Sequence, residues 1–268
     1  MGLLPQICNK LTYAIIAYVI GYGFIFFYGF IVVFFEGRRL KNEPPKKITF
    51  FNQFNVGIRG FISNMAWMML FRLDLFLVGY FLPLSRVGVY SVALFGAETV
   101  TKIPIWSSSI LKPMVASNEE GHARRTVYLF YSSIITGFIL GLFVLLILVI
   151  LPNFITNLIG KDFSGAEVCL LLLLPRVIMQ SGVAALAANL AGKGYPLHHP
   201  AGSVIALLYL ILLDIILIPR FGINGAAIAN SLAFIACFIV YYLGFQKYNN
   251  ESILYGLKPF ISYLIGKL

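Results

Sequence analysis

FNVGIRGFISNMAWMMLFRLDLFLVGYFLPLSRVGVYSVALFGAETVTKIPIWSSSILKPMV, residues Phe54 to Val115, is the stretch that decides the fold. It reads as two strongly apolar segments joined by the short turn Pro83-Leu84-Ser85-Arg86. The first segment carries Arg59, Arg72 and Asp74, and the second carries Glu98, Lys102 and Lys112. An ionisable side chain at the centre of a membrane helix costs about 3 kcal/mol on insertion scales. Two adjacent apolar segments that carry six of them therefore predict a polar interior turned away from lipid.

Composition sets the class. The chain has 268 residues, 60% hydrophobic and only 11% charged, with a mean hydropathy of +0.89. Soluble domains carry about 25% charged residues, so the apolar excess here points to an integral membrane protein made of helices. The net charge of +10 does not read as a nucleic-acid signal, because the basic residues sit mainly in connecting segments, as topology signals do. Met1 to Lys10 has no charged region ahead of the first apolar run, so no cleavable signal is predicted. Cys8, Cys169 and Cys237 are odd in number and scattered, and they give neither a disulfide framework nor metal-ligand spacing.

Outward from the central stretch, uncharged or nearly uncharged runs recur at spanning length. Leu11 to Phe35 is a first span, of about 37 Å as a helix. Glu36 to Lys47 follows as a polar linker with Arg38, Arg39, Lys41, Lys46 and Lys47 around Pro44-Pro45, which marks it as cytoplasmic. Phe54–Leu82 and Val87–Val115 are the second and third spans, and Val127–Leu151 is the fourth. Ala166–Ala191, Ala201–Pro219 and Ile223–Phe245 complete seven, and Ile253–Leu268 begins an eighth but is too short to cross. The predicted class is an all-α polytopic membrane protein with about seven full spans and a partial eighth, read as a portion of a longer transporter. Gly137-x-x-x-Gly141 and Gly225-Ala226-Ala227 are small-residue faces where helices can approach closely.

Ser91, Glu98, Lys102, Ser109 and Lys112 share one face of the third span at about 100° per residue. Glu98 and Lys102 are spaced i, i+4 with the acid first, and Pro104 predicts a bend just after them. Arg72 and Asp74 point about 200° apart and need partners elsewhere. Counted from the hairpin, Arg72 and Glu98 lie at similar depth and could pair across it, and Arg176 of the fifth span sits near the same level. The predicted substrate path comprises Arg59, Arg72, Asp74, Glu98, Lys102, Lys112 and Arg176. Its basic surplus suits an anionic substrate such as a phosphate group; structural ion pairs that lock helix packing are the bland alternative. His198-His199 lacks a third ligand, and Asn250-Glu251-Ser252 fits a glycosylation sequon on the predicted cytoplasmic side. No nucleophile set, phosphate-binding glycine loop or paired-carboxylate motif is evident. The sequence thus implies no cofactor, no metal and no enzymatic chemistry.

A set of ordered motifs adds to this. They are Arg72-Leu-Asp74-Leu-Phe-Leu-Val-Gly79, Val87-Gly-Val-Tyr90-Ser-Val-Ala93, Ile103-Pro104 and Lys112-Pro113, followed by Leu158-Ile-Gly160-x-x-Phe163-x-x-Ala166, Leu190-Ala-Gly192-x-Gly194-x-Pro196 and Leu217-Ile-Pro219-x-Phe-Gly222-Ile-x-Gly225-Ala-Ala227. In order and spacing the set resembles the polysaccharide biosynthesis flippases, including the O-antigen exporters of the multidrug/oligosaccharidyl-lipid/polysaccharide superfamily. The resemblance implies two six-helix lobes around a central cavity. Residues 54–245 would form the second lobe, residues 1–35 the last helix of a mostly missing first lobe, 36–53 the cytoplasmic linker, and 246–268 a cytoplasmic turn and the start of a further helix. It implies a lipid-linked oligosaccharide as substrate, turned across the cytoplasmic membrane by alternating access. Membrane lipids and other polysaccharide assembly proteins are the implied partners. A multidrug or cation antiporter of the same superfamily would be expected to carry a more acidic cavity. A polyprenyl-linked glycosyltransferase or ligase would be expected to carry a larger loop and a catalytic cluster. A non-transporting assembly partner stays open.

Overall fold

The computed structural model describes residues 3–39, 50–117, 122–151 and 154–249. The centre of the basic linker (40–49) and the expected start of an eighth span (250–268) lie outside the described residues. The chain divides into two units, 1–52 and 53–268. In the first, α1 (Leu3–Arg39) is one long helix built from the uncharged run. Its apolar side chains are exposed from Ile16 to Phe35, with Phe30 and Phe34 stacked one turn apart.

The second unit is a helical bundle. α2 (Phe50–Leu70) and α3 (Leu73–Phe81) form one interrupted rod, followed by α4 (Leu84–Ser109) and α5 (Leu111–Ala116). α6 (His122–Ile150), a short α7 (Phe154–Ile159) and a 3-10 turn at Lys161–Phe163 lead into α8 (Ala166–Gly192). The antiparallel pair α9 (His198–Phe221) and α10 (Ile223–Asn249) completes the unit. Every backbone group inside lipid must be satisfied within the protein, which is why uncharged runs of this length become helices. The most enclosed helix is α8, packed on α4, α6 and α10.

The chain is an all-α polytopic membrane protein. Six helices among the described residues are long and apolar enough to cross a membrane, with α2 and α3 counted as one. The expected third span is not among the six, because α4 carries Arg86, Glu98 and Lys102 and ends in Ser107-Ser108-Ser109. It is nonetheless 26 residues long and packs along α8 and α6.

Two breaks shape the bundle. The expected second span is interrupted at Phe71 and Arg72, where Arg72 adopts φ −128° and ψ −23°. In the third span the helix runs through Pro104 to Ser109 and stops at Ile110. Pro113 explains the position: its ring clashes with the carbonyl four residues back, that of Ser109, and it offers no N–H. The helix is unbroken at Pro104, and just beyond it Ser107 and Ser108 both donate hydroxyls to the Pro104 carbonyl at 3.0 and 2.8 Å.

The buried apolar residues fall into two clusters. One gathers Leu70, Leu111, Phe130, Leu186, Phe234 and Tyr241, towards the α8–α9 turn. The other gathers Val78, Tyr90, Leu148, Cys169, Leu173 and Ile218, towards the α3–α4 hairpin. Between them five helices contribute polar side chains: Asp74 from α3, Glu98 from α4, Arg176 and Gln180 from α8, Asp214 from α9 and Asn230 from α10.

Close approaches are selective. A Cβ on Gly225 would strike the Leu217 backbone carbonyl across the α9–α10 turn, and one on Gly137 would strike the Ser181 side chain of α8. Gly141, the other half of the small-residue pattern, has only Leu174 Cδ2 at 4.0 Å. Gly225→Ala is therefore expected to cost about 1–3 kcal/mol or more, because backbone cannot step aside, whereas Gly141→Ala should be near neutral. Thermal denaturation of the two purified variants in detergent checks the contrast, and equal melting temperatures would overturn this account of the α9–α10 turn.

Candidate functional site

The break between α2 and α3 builds one side of the site. By starting a new helix at Leu73 it puts Asp74 in the first turn of α3, where a carboxylate is favoured by the helix dipole. Asp74 is fully buried. It accepts hydrogen bonds from the Leu75 backbone N–H at 2.8 Å, the Tyr90 hydroxyl at 2.6 Å and the Asn230 amide at 2.7 Å. Three helices are thereby tied to one carboxyl group. The same break turns Arg72 the other way, to an exposed position.

On α8 the guanidinium of Arg176 is also fully buried. It lies between two aromatic faces, 5.3 Å from the centroid of Phe71 and 4.8 Å from that of Phe234. Its Nε donates to Gln180 Oε1 at 3.2 Å, and a terminal nitrogen stands 3.9 Å from Glu98 Oε1 as an ion pair. Glu98 is thus the partner of Arg176 and not of Arg72, the pairing that the depth count allows. The reason is helix rotation: α4 packs along α8, while the break carries Arg72 off the shared face. Cation–π contact is worth more where water is excluded, so the two rings contribute to holding a charge whose terminal nitrogens make no hydrogen bond among the described residues.

Beside this buried layer runs a series of adjoining open clefts along α2, α4 and α8. A middle cleft of about 350 Å³ is lined by Arg72, Glu98, Lys102 and Gln180. Towards the hairpin it continues into a cleft of about 620 Å³ that shares Arg72, Glu98 and Lys102 and adds Ser91 and Ile159. Towards the α8–α9 turn it shares Phe71, Ile105 and Gln180 with a cleft of about 230 Å³ that adds Trp67, Ser109, Lys112 and Tyr195. Ser91, Glu98, Lys102, Ser109 and Lys112 of the one-faced stripe therefore all line this series. Arg72, Lys102 and Lys112 are exposed within it, and Lys102 Nζ rests 5.6 Å from the Phe95 ring centroid. Of the other predicted path residues, Asp74 and Arg176 are sealed behind the clefts and Arg59 is half-buried on α2, lining none of the three.

Several polar groups outside the predicted path are also buried in the bundle. Asn230 and Tyr90 complete the Asp74 cluster, and Asp214 on α9 is buried with neither carboxylate oxygen hydrogen-bonded among the described residues. A lone Asp in an apolar run was the available signal for Asp214. His199 is buried and engaged through Nδ1 by Ser63 Oγ at 2.6 Å, with the Tyr241 hydroxyl at 3.4 Å. No group of three His, Cys, Asp or Glu residues among the described residues is placed to hold a metal.

The chain is similar to Agl15 of Haloferax volcanii, described as a probable low-salt glycan biosynthesis flippase, with 27% identity over 211 residues. That match takes in 77% of this chain and 45% of the relative, so the chain spans less than half of the curated protein it matches. No protein-family profile matches the chain, and no solved structure matches it significantly.

Burial separates the charges by expected consequence. Removing a fully buried side chain held between two rings leaves a cavity and costs about 2–5 kcal/mol, and Arg176 is such a side chain while its partner Glu98 is 19% exposed to the cleft. Arg176→Ala should accordingly lower the yield of folded protein sharply, while Arg72→Ala and Lys102→Ala, at exposed positions, should stay within about 0.5 kcal/mol of the parent. Detergent-resistant melting curves for the three variants check this, and a stable Arg176→Ala protein would contradict it.

Proposed function

We propose that this chain is the second, six-helix lobe (residues 54–245) of a membrane flippase. On this reading the flippase carries a lipid-linked oligosaccharide or polysaccharide precursor, of the O-antigen kind, across the cytoplasmic membrane. The observation that carries the reading is the middle cleft, where Arg72 and Lys102 stand exposed against a single carboxylate, Glu98, which is already paired with Arg176. Cationic side chains at mid-membrane persist where they line a wet cavity and mark substrate pathways. A pyrophosphate between lipid and sugar supplies the anionic charge that such a cleft takes. The similarity to a glycan biosynthesis flippase supports the same substrate class.

In this mechanism Arg72 and Lys102 bind the phosphates, and Lys112 extends the positive path towards the cytoplasmic end. Arg59 on α2 adds positive charge near that end. Asp74 and Arg176 do not touch substrate. They hold α3, α4 and α10 in register behind it, so that the lobe moves as one body. A first lobe on the other side of the clefts, joined through α1 and the basic linker, closes the path, and rocking of the two lobes exposes it alternately to each face. No chemical step occurs on the substrate.

Two expected outcomes test this. In a complete transporter that contains this lobe, Arg72→Ala and Lys102→Ala should each reduce export by about tenfold or more, the loss of one charged contact, with protein level in the membrane unchanged. Normal export by the double variant would remove the phosphate assignment. Separately, the 268-residue chain should fail to restore glycan export in a flippase-deficient strain, and a fusion to a matching first lobe should restore it. Full rescue by the chain alone would show that the two-lobe mechanism is wrong.

A further inference from the structure

The cleft nearest the α8–α9 turn differs in chemistry from the one beside it. Its walls carry the stacked pair Trp67 and Phe71 and the ring of Tyr195, and the amides of Asn64 and Gln180 are set among them. No carboxylate lines it, and Lys112 is its one charge. A lipid chain would leave the amides without partners, and a cation would face the Lys112 ammonium unshielded. A sugar ring matches both halves: its C–H face packs on aromatic rings and its rim of hydroxyls pairs with the amides.

The aromatic walls are held in place. Trp67 donates its indole N–H to the Tyr241 hydroxyl at 3.2 Å and stacks on Phe71 with centroids 5.5 Å apart. Gln180 spends its Oε1 on Arg176 Nε, so its amide nitrogen is the group left for the cleft. Tyr195 carries the strongest mark. It is the one non-glycine residue with positive φ among the described residues, at 54°. A bulky residue is uncommon there, and such strain clusters at ligand sites. Gly194 before it also has positive φ, at 82°, and the Tyr195 N–H bonds back to the Leu190 carbonyl at 3.2 Å. This turn lays the Tyr195 ring over Gly60, where an added Cβ would come within 3.3 Å of it, and edge-on to His199 at 4.9 Å.

Resting on the flippase reading above, we infer that the Trp67–Tyr195 cleft is a pyranose site that holds the lipid-proximal sugar while the adjoining Arg72–Lys102 cleft holds the phosphates. The two clefts share Phe71, Ile105 and Gln180 as walls, so one sugar pyrophosphate bridges them. Selection among lipid-linked substrates by their first sugar then arises at Tyr195 and Trp67, apart from the charge that draws every polyprenyl pyrophosphate.

The test uses the full chain in lipid nanodiscs with Trp106→Phe, which leaves Trp67 as the sole tryptophan of the two in the sequence. The probes are farnesyl diphosphate and farnesyl-diphosphate-linked N-acetylglucosamine. The sugar-bearing probe should shift Trp67 emission saturably and bind about tenfold more tightly than the bare diphosphate. Tyr195→Asn removes the ring and keeps a residue that tolerates positive φ; it should abolish that difference and leave the diphosphate affinity within about twofold. Tyr195→Phe should preserve the difference, and Arg72→Ala should weaken both probes alike. Equal affinity for the two probes, or a sugar preference indifferent to Tyr195→Asn, overturns the sugar site and leaves the phosphate reading standing. Failure of both probes to bind overturns the two together.

Discussion

A guanidinium with no solvent exposure has to be compensated from within the protein, and the bundle is arranged to do so around Arg176. Desolvating an ion costs several kcal/mol even after the surroundings relax. Here the compensation comes from two ring faces, one amide oxygen and one carboxylate, drawn from α4, α8, α10 and the break at Phe71. Each contributor fixes something else. Phe71 can lie over the guanidinium only because α2 ends at Leu70. That ending starts α3 at Leu73 and puts Asp74 where it gathers Tyr90 and Asn230. Glu98 sets the rotation of α4, and Phe234 that of α10. The polar layer between the two apolar clusters is therefore one connected arrangement and not a scatter of tolerated charges.

A layer of this kind gives a transporter lobe a fixed reference. Apolar helix faces in lipid gain little from one another hydrophobically, since the tails are as apolar as leucine, so hydrogen bonds and shape hold the helices together. The Asp74 cluster, the Asn189–Thr126 bond at 2.9 Å and the Ser231–Leu172 bond at 2.7 Å are of that sort. The first ties α3 to α4 and α10, and the other two tie α8 to α6 and α10. On the proposed mechanism the exposed cations then act from a rigid wall, and the interrupted backbone at Phe71–Arg72 lies against the clefts, where irregular backbone is tolerated at membrane depth. Strain is concentrated at Tyr195, at the end of the clefts where the proposed sugar contact lies.

The helical class was legible because bilayer physics leaves so few choices. A run such as Val127 to Leu151 has no charge, and a spanning segment without internal backbone hydrogen bonds is not viable. Turn positions followed from Pro83, Gly222 and Gly192-x-Gly194-x-Pro196, where helix geometry cannot continue. The ionisable residues stood out for the same reason: Arg72, Asp74, Glu98, Lys102 and Arg176 break runs that are otherwise apolar.

Partners were not legible. Periodicity assigns a residue to a face of its own helix, but which neighbour that face meets depends on how each helix is rotated and offset, and tertiary packing sets this. So depth alone allowed Arg72 to pair with Glu98, when rotation gives Glu98 to Arg176. The helix runs on through Pro104, and its break falls at Ile110, ahead of Pro113. Gly137 and Gly141 looked alike, when only Gly137 is pressed against α8 too closely for a side chain. Asp74 reaches Asn230 across 156 residues of chain, a separation over which no local pattern carries information. The sequence by itself determined that this chain folds as membrane helices with charges kept from lipid. The tertiary structure decided which of those charges are locked into the frame and which face the open clefts, because burial belongs to a residue's surroundings and not to its identity.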